Sequence, residues 1–228
     1  MPERRRSVAA LLLEMVLITA SILLAFGLDA WWDRRDNRAN EHTLLVALQT
    51  EFGGIQEELA RARRIHERRH EATTELILLI DNDRQFPVAD SLWTLVEAAR
   101  ARTTIDPPSG VLSSSIGSGA IALIQDNELG RALTAWPDRI SDHAKIEENL
   151  RSYVNEFILP WFASQAIYPP LDGADDRWRD RVSPSLRSQE FRAHLWYLRA
   201  QTERIIEGNT ELRESADSAM ILLSRSAP

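Results

Sequence analysis

Five consecutive residues, His66-Glu67-Arg68-Arg69-His70, match the pattern H-E-x-x-H. On a helix, histidines four positions apart share a face and can bind zinc, with the Glu between them acting as general base. This is the sharpest enzymatic hint in the chain, and it would make a zinc-dependent hydrolase. The surroundings argue against it. Arg63, Arg64, Arg68 and Arg69 crowd the same stretch, and their repulsion disfavours a dication. A third protein ligand is also required; Glu97 could serve, but nothing singles it out. An Arg- and Glu-rich solvated helix face produces the pattern cheaply, so the expectation is a solvated face holding no metal and no cofactor.

Other chemistry is weaker still. Ser113, Ser114, Ser115 and Ser118 lack the strand-to-helix elbow of a serine nucleophile, and His143 and His194 have no readable partner. No Gly-rich loop follows a strand to cradle phosphate. The acidic cluster Asp172, Asp175 and Asp176 lacks the spacing of a Ca²⁺ loop. The chain therefore reads as a non-enzyme.

The stretch from Ser7 to Trp32 organises the rest. From Ser7 to Leu28 it carries one charge, Glu14, and twelve Leu, Ile, Val or Phe residues. As a helix it spans about 33 Å, enough for a hydrocarbon core of ~30 Å. The twelve apolar residues favour insertion by about 4 to 7 kcal/mol, and a central carboxylate returns only ~3 kcal/mol. The run is longer than a signal-peptide core and ends in Trp31-Trp32, which suits an interfacial aromatic anchor. An uncleaved signal anchor over 7–32 is expected, with a cytoplasmic tail over 1–6 and an extramembrane, periplasmic domain over 33–228. Arg4, Arg5 and Arg6 precede the span, whereas Arg34, Arg35 and Arg38 are interleaved with Asp29, Asp33 and Asp36. Counting basic groups alone, three arginines plus the α-amine before the span against three arginines after it give a slight bias, which predicts a cytoplasmic N-terminus in a bacterial inner-membrane protein.

One side of the span is small or polar. Ala10, Glu14, Ser21 and Ala25 fall on a common face, as small residues and an intramembrane acid do where membrane helices pack. This face is the expected docking surface, either for another membrane protein subunit or for a second copy of the chain.

Composition narrows the remainder. The absence of cysteine excludes a disulfide framework and thiolate zinc sites, and a net charge of −7 argues against nucleic acid as a partner. Few aromatics and much Leu, Ala, Arg and Glu favour an all-α chain. Leu45, Leu48, Phe52, Ile55 and Leu59 begin an apolar stripe that turns polar between His66 and Thr73 and should end near Asp81-Asn82-Asp83. Gly53-Gly54 predicts a bend or a close helix contact. A second helix is expected from Leu92 to Thr103, capped by Asp90 or Ser91. A short helix should follow over Leu112–Ile124, then one capped by Asp126 over Asn127–Ala135. A further helix should start at Pro137 and kink at Pro160, burying Ile146, Leu150, Tyr153, Phe157 and Trp161. The stretch from Tyr168 to Ser185 reads as loop. The last helix, Leu186–Ser224, has a stripe alternating by four and three from Phe191 to Leu223, with Asn209 inside it. Together these predict a transmembrane helix continuing into an antiparallel helical bundle.

Two segments resemble a family of uncharacterised bacterial single-pass inner-membrane proteins. The first is Glu14 to Arg35, with its acid inside the span and Ala25-Phe26-Gly27-Leu28 before Trp32; the second is Ile116 to Ile124 followed by Asn127-Glu128-Leu129. The Tyr pair usual in that family is replaced by Ala135-Trp136. The resemblance implies a membrane location and a helical fold, and it supplies no activity. The expected role is an accessory or assembly subunit of a larger respiratory, photosynthetic or transport complex, or of a homo-oligomer. A periplasmic ligand-sensing bundle that signals through a partner is the alternative.

Overall fold

A computed structural model describes residues 8–226, with side chains from residue 12 onward; the expected tail over 1–6 lies outside them. The described residues are all-α. Helix α1 runs from Val8 to Asp81, 74 residues without a break, or about 110 Å. It passes through Trp31-Trp32, through Gly53-Gly54 and through the polar stretch, ending at the turn cluster the sequence marks. No bend interrupts the helix at the glycines, and the close approach is to a loop and not a helix: a Cβ on Gly54 would sit 3.0 Å from Pro108 Cγ.

Helix α2 covers Ala89–Ala99, α3 Gly110–Ser118, α4 Asn127–Tyr153, α5 Leu159–Ser164, α6 Asp176–Leu186 and α7 Gln189–Ser226. Helix α7 lies antiparallel along α1. Arg192, near its start, holds Asp81 at 2.5 Å, and Asp217, near its end, accepts from Gln56 at 2.6 Å. Helices α2 and α3 pack on α1, and α4 on α7. Every stripe position of α7 from Phe191 to Leu223 is buried, as are those of α1 from Leu45 to Leu76.

Several boundaries differ from the sequence reading. Helix α2 starts and stops earlier than expected, and neither Asp90 nor Ser91 caps it. The short Ser/Gly helix breaks at Gly119, whose φ of 78° is left-handed, and a 3-10 turn follows over Ala120–Leu123. Asp126 does cap α4, accepting from Glu128 N–H at 2.8 Å and Leu129 N–H at 3.1 Å. Pro137 does not start a new helix. It lies inside α4, which continues past it, because burial of Leu133 and Trp136 on one side and Leu150 on the other outweighs one lost hydrogen bond. In place of a simple kink, Pro160 follows a π-helical turn over Val154–Ile158. The wider turn rotates the face, so Val154 and Ile158 are buried and Phe157 is exposed. The expected loop over 168–185 contains most of α6. Asp175 caps it at 2.7 Å from Trp178 N–H, and the buried Trp178 donates from Nε1 to Ile167 O at 2.7 Å.

The bundle has two apolar cores. The one nearer the span gathers Leu45 to Ala62 of α1, Leu129 to Trp136 of α4 and Leu212 to Leu223 of α7. The far one gathers Ala72 to Ile77 of α1, Leu150 and Val154, Phe191 to Ile205 of α7, and residues of α2, α5 and α6. Between the two lies a buried polar layer.

Candidate functional site

The polar layer contains the first half of the H-E-x-x-H pattern. The stripe that buries Leu59 and Ala62 continues to His66 and Arg69, because helical spacing of four and three carries them inward. Helix α4 supplies His143 and Glu147 from its own stripe, which runs Leu129, Leu133, Trp136, His143, Glu147, Leu150. Helix α7 contributes Asn209, whose Nδ2 donates to Leu59 O at 3.3 Å. All five are buried. The expectation of a solvated face over 66–70 is therefore wrong for His66 and Arg69. Helical phase put them under α4, and only Glu67 and Arg68 turn outward.

Glu147 is the centre. Its Oε1 lies 2.9 Å from His66 Nε2 and 3.5 Å from His143 Nε2; its Oε2 accepts from Ile105 N–H at 2.7 Å. Burial pushes its carboxyl up, but His143, His66 and the Ile105 N–H outweigh that and hold it at about 2. Arg69 lies beside it. Burial lowers the guanidinium to about 10, with Glu147 opposing, so it is a cation at neutral pH. Arg69 Nη1 reaches His66 Nδ1 at 3.3 Å, and Nη2 donates to Ala101 O.

These contacts fix the tautomer of His66. Nε2 carries the proton given to the ionised Glu147, and Nδ1 keeps the lone pair that accepts from Arg69. The ring is neutral, and burial drives its pKa below the usual histidine value. Glu67 faces away and takes Arg63 Nε at 2.7 Å, while His70 Nε2 is buried without a protein hydrogen-bond partner. The pattern thus scatters: one His faces a carboxylate, the Glu pairs with an Arg, and the second His stands alone. Among the described residues, no three His, Cys, Asp or Glu side chains are grouped to hold a metal ion.

The layer also anchors the segment from 101 to 126. Arg69 holds Ala101 O and Glu147 holds Ile105 N–H. Farther along α1, Glu58 accepts from Asp106 N–H at 3.4 Å, Glu51 from Val111 and Leu112 N–H at 2.7 and 2.8 Å, and Glu41 from Gln125 N–H at 2.7 Å. Glu51 thereby caps α3, a role Ser109 leaves open. Against α4 and α7, His143 floors an open groove of about 230 Å³ with Gly208, Ile146 and Glu211.

In the span, α1 is exposed at every residue from 12 to 40. It is apolar and long enough to cross a membrane. Glu14, Ser21 and Ala25 lie on one exposed face, whereas the side chain of Ala10 falls outside the described residues. Ser21 Oγ donates to Leu17 O at 2.8 Å, so its hydroxyl is already satisfied within the helix. Trp31 and Trp32 pack edge to face at 5.2 Å, with the Arg35 guanidinium 5.7 and 6.0 Å from their rings. No protein-family model matches the chain, and no curated protein or solved structure shows significant similarity to it.

Proposed function

We propose that the chain is a non-enzymatic, membrane-anchored accessory or assembly subunit that docks in a larger inner-membrane complex or in a homo-oligomer. The observation that supports this most is the continuity of α1. The apolar span and the longest strut of the bundle are one helix, and the bundle covers none of its described side chains from 12 to 32. A fully uncovered span carrying an acid and small residues on one face suits helix packing in lipid. The N-terminus is placed in the cytoplasm and the bundle in the periplasm on the strength of the flanking arginines.

The bundle's buried Glu147 is taken up by His66 and by the Ile105 N–H, and Arg69 by His66 and the Ala101 carbonyl. The ligand-sensing alternative draws its support from the groove beside His143. The test is purification of the full chain in native nanodiscs. A stoichiometric partner or a defined oligomer, lost in the double variant Glu14→Leu, Ala25→Leu, supports the proposal. A monomer with no co-purifying membrane protein overturns it.

A further inference from the structure

We propose that the His66–Arg69–Glu147 layer is an acid-opened latch that holds the segment after α2 against α1. The inference is independent of what docks to the span. It stands on the geometry. Two of the hydrogen bonds that hold the start of the segment, Arg69 to Ala101 O and Ile105 N–H to Glu147, end on this layer; Arg102 to Asn155 and Asp106 N–H to Glu58 are made outside it. The layer in turn is held in one protonation state by His66, which must offer a lone pair to Arg69 and a proton to Glu147 at once. A proton added at Nδ1 sets an N–H against the guanidinium N–H 3.3 Å away. It also turns a balanced buried pair into two adjacent cations against one carboxylate. Arg69 must then withdraw, and Ala101 O loses its donor.

The groups that face the ring are few. Helix α1 contributes Arg69 beside it and His70 one turn on; Glu58 and Arg61 lie within reach of Glu147. Helix α4 contributes Glu147 and His143, with Arg151 nearby, itself held by Glu148. The segment contributes Arg102, which is engaged by Asn155 Oδ1 at 2.5 Å. Helix α7 presents Gly208 and Asn209, both uncharged, and Glu211 stands at the groove with Arg139 and Asp142. Glu147 keeps its charge well below the pH at which His66 takes a proton, so of that pair it is His66 that changes charge first. Because burial lowers its pKa, the latch is closed at and above pH 6.5 and opens as the pH falls below that value.

The experiment is hydrogen–deuterium exchange on the full chain in nanodiscs between pH 7.5 and 4.5, corrected for intrinsic exchange rates. Protection of the amides from 101 to 106 is expected to fall at least ten-fold across that range, while 195–205 of α7 keeps its protection. His66→Gln offers the same N–H to Glu147 and the same acceptor to Arg69 but does not titrate, and it should abolish the pH response. The latch is overturned if protection at 101–106 does not change with pH, if all segments lose protection together, or if a folded H66Q variant responds as the wild type does. Should H66Q fail to fold, the wild-type profile alone still decides between local and global opening.

Discussion

His66 Nε2 meets Glu147 Oε1 at 2.9 Å across 81 positions of sequence, with both side chains fully buried. That pair joins α1 to α4 at the level where the two apolar cores part. It also helps explain why a polar stretch is tolerated in the middle of a stripe: His66 finds Glu147 on α4, and Arg69 finds His66 and the Ala101 carbonyl after α2.

Removing the carboxylate should be costly. Glu147→Ala leaves Arg69 as a buried cation without its counter-charge and strips Ile105 N–H of its acceptor. The expected loss is about 3–5 kcal/mol, measured by urea denaturation of the bundle. A loss below about 1 kcal/mol would mean that water replaces the carboxylate freely.

Stability should fall with acid in two stages. His66 and His194 both have pKa values lowered by burial, so the unfolded chain takes up protons first as the pH drops below 6.5. Their contribution is complete above that pH and is lost as it falls towards the folded values. Glu147 follows: its contribution is complete above 4.5 and is lost as the pH falls through about 2, on the order of 3 kcal/mol in all. Melting curves at pH 7.5, 5.5 and 3.5 should descend in that order.

Two glycines in long helices should answer oppositely to alanine. A Cβ at Gly208 would lie 2.7 Å from Nδ1 of the buried His143 ring, so Gly208→Ala should cost about 1–3 kcal/mol. A Cβ at Gly53 meets nothing within 4 Å, so Gly53→Ala should stabilise by about 0.5–1 kcal/mol. Equal effects in thermal melts would refute the packing described for Gly208.

The span and the bundle should separate energetically. Among the described side chains of α1 the first buried one is Leu45, so deletion of residues 1–40 should leave the melting temperature of the bundle within about 2 °C. The shortened chain should leave the membrane fraction. In the full chain, Ile18→Arg should weaken insertion by about 2.5–3.5 kcal/mol, read as loss of resistance to carbonate extraction.

Much of the fold was legible in the residues. The stripes of α1 and α7 are long, strictly spaced and free of proline, so periodicity alone placed their buried sides. Proline positions were less legible. Pro137 is absorbed by α4 because apolar contacts on both sides hold the helix together, and the π-turn before Pro160 exchanges Phe157 for Val154 and Ile158. Helix α6 was missed because Pro169, Pro170 and the acidic run read as loop, while its inward anchors, Trp178 and Val182, are few. The polar layer was half legible. The stripe through His66 and Arg69 marked them as inward, yet the surrounding arginines suggested solvent. His143 and Glu147 fall on the inward face of α4, but their pairing with α1 is a tertiary fact that no local spacing encodes.

Helix α1 has no joint between its apolar segment and its far end. From Trp32 to Asp81 it extends about 74 Å. A lever of that length converts a 10° change in tilt at the membrane into a sweep of about 13 Å at its tip. Whatever reorients the apolar end therefore steers the far end as well, and a small rotation there becomes a large displacement of the bundle's tip.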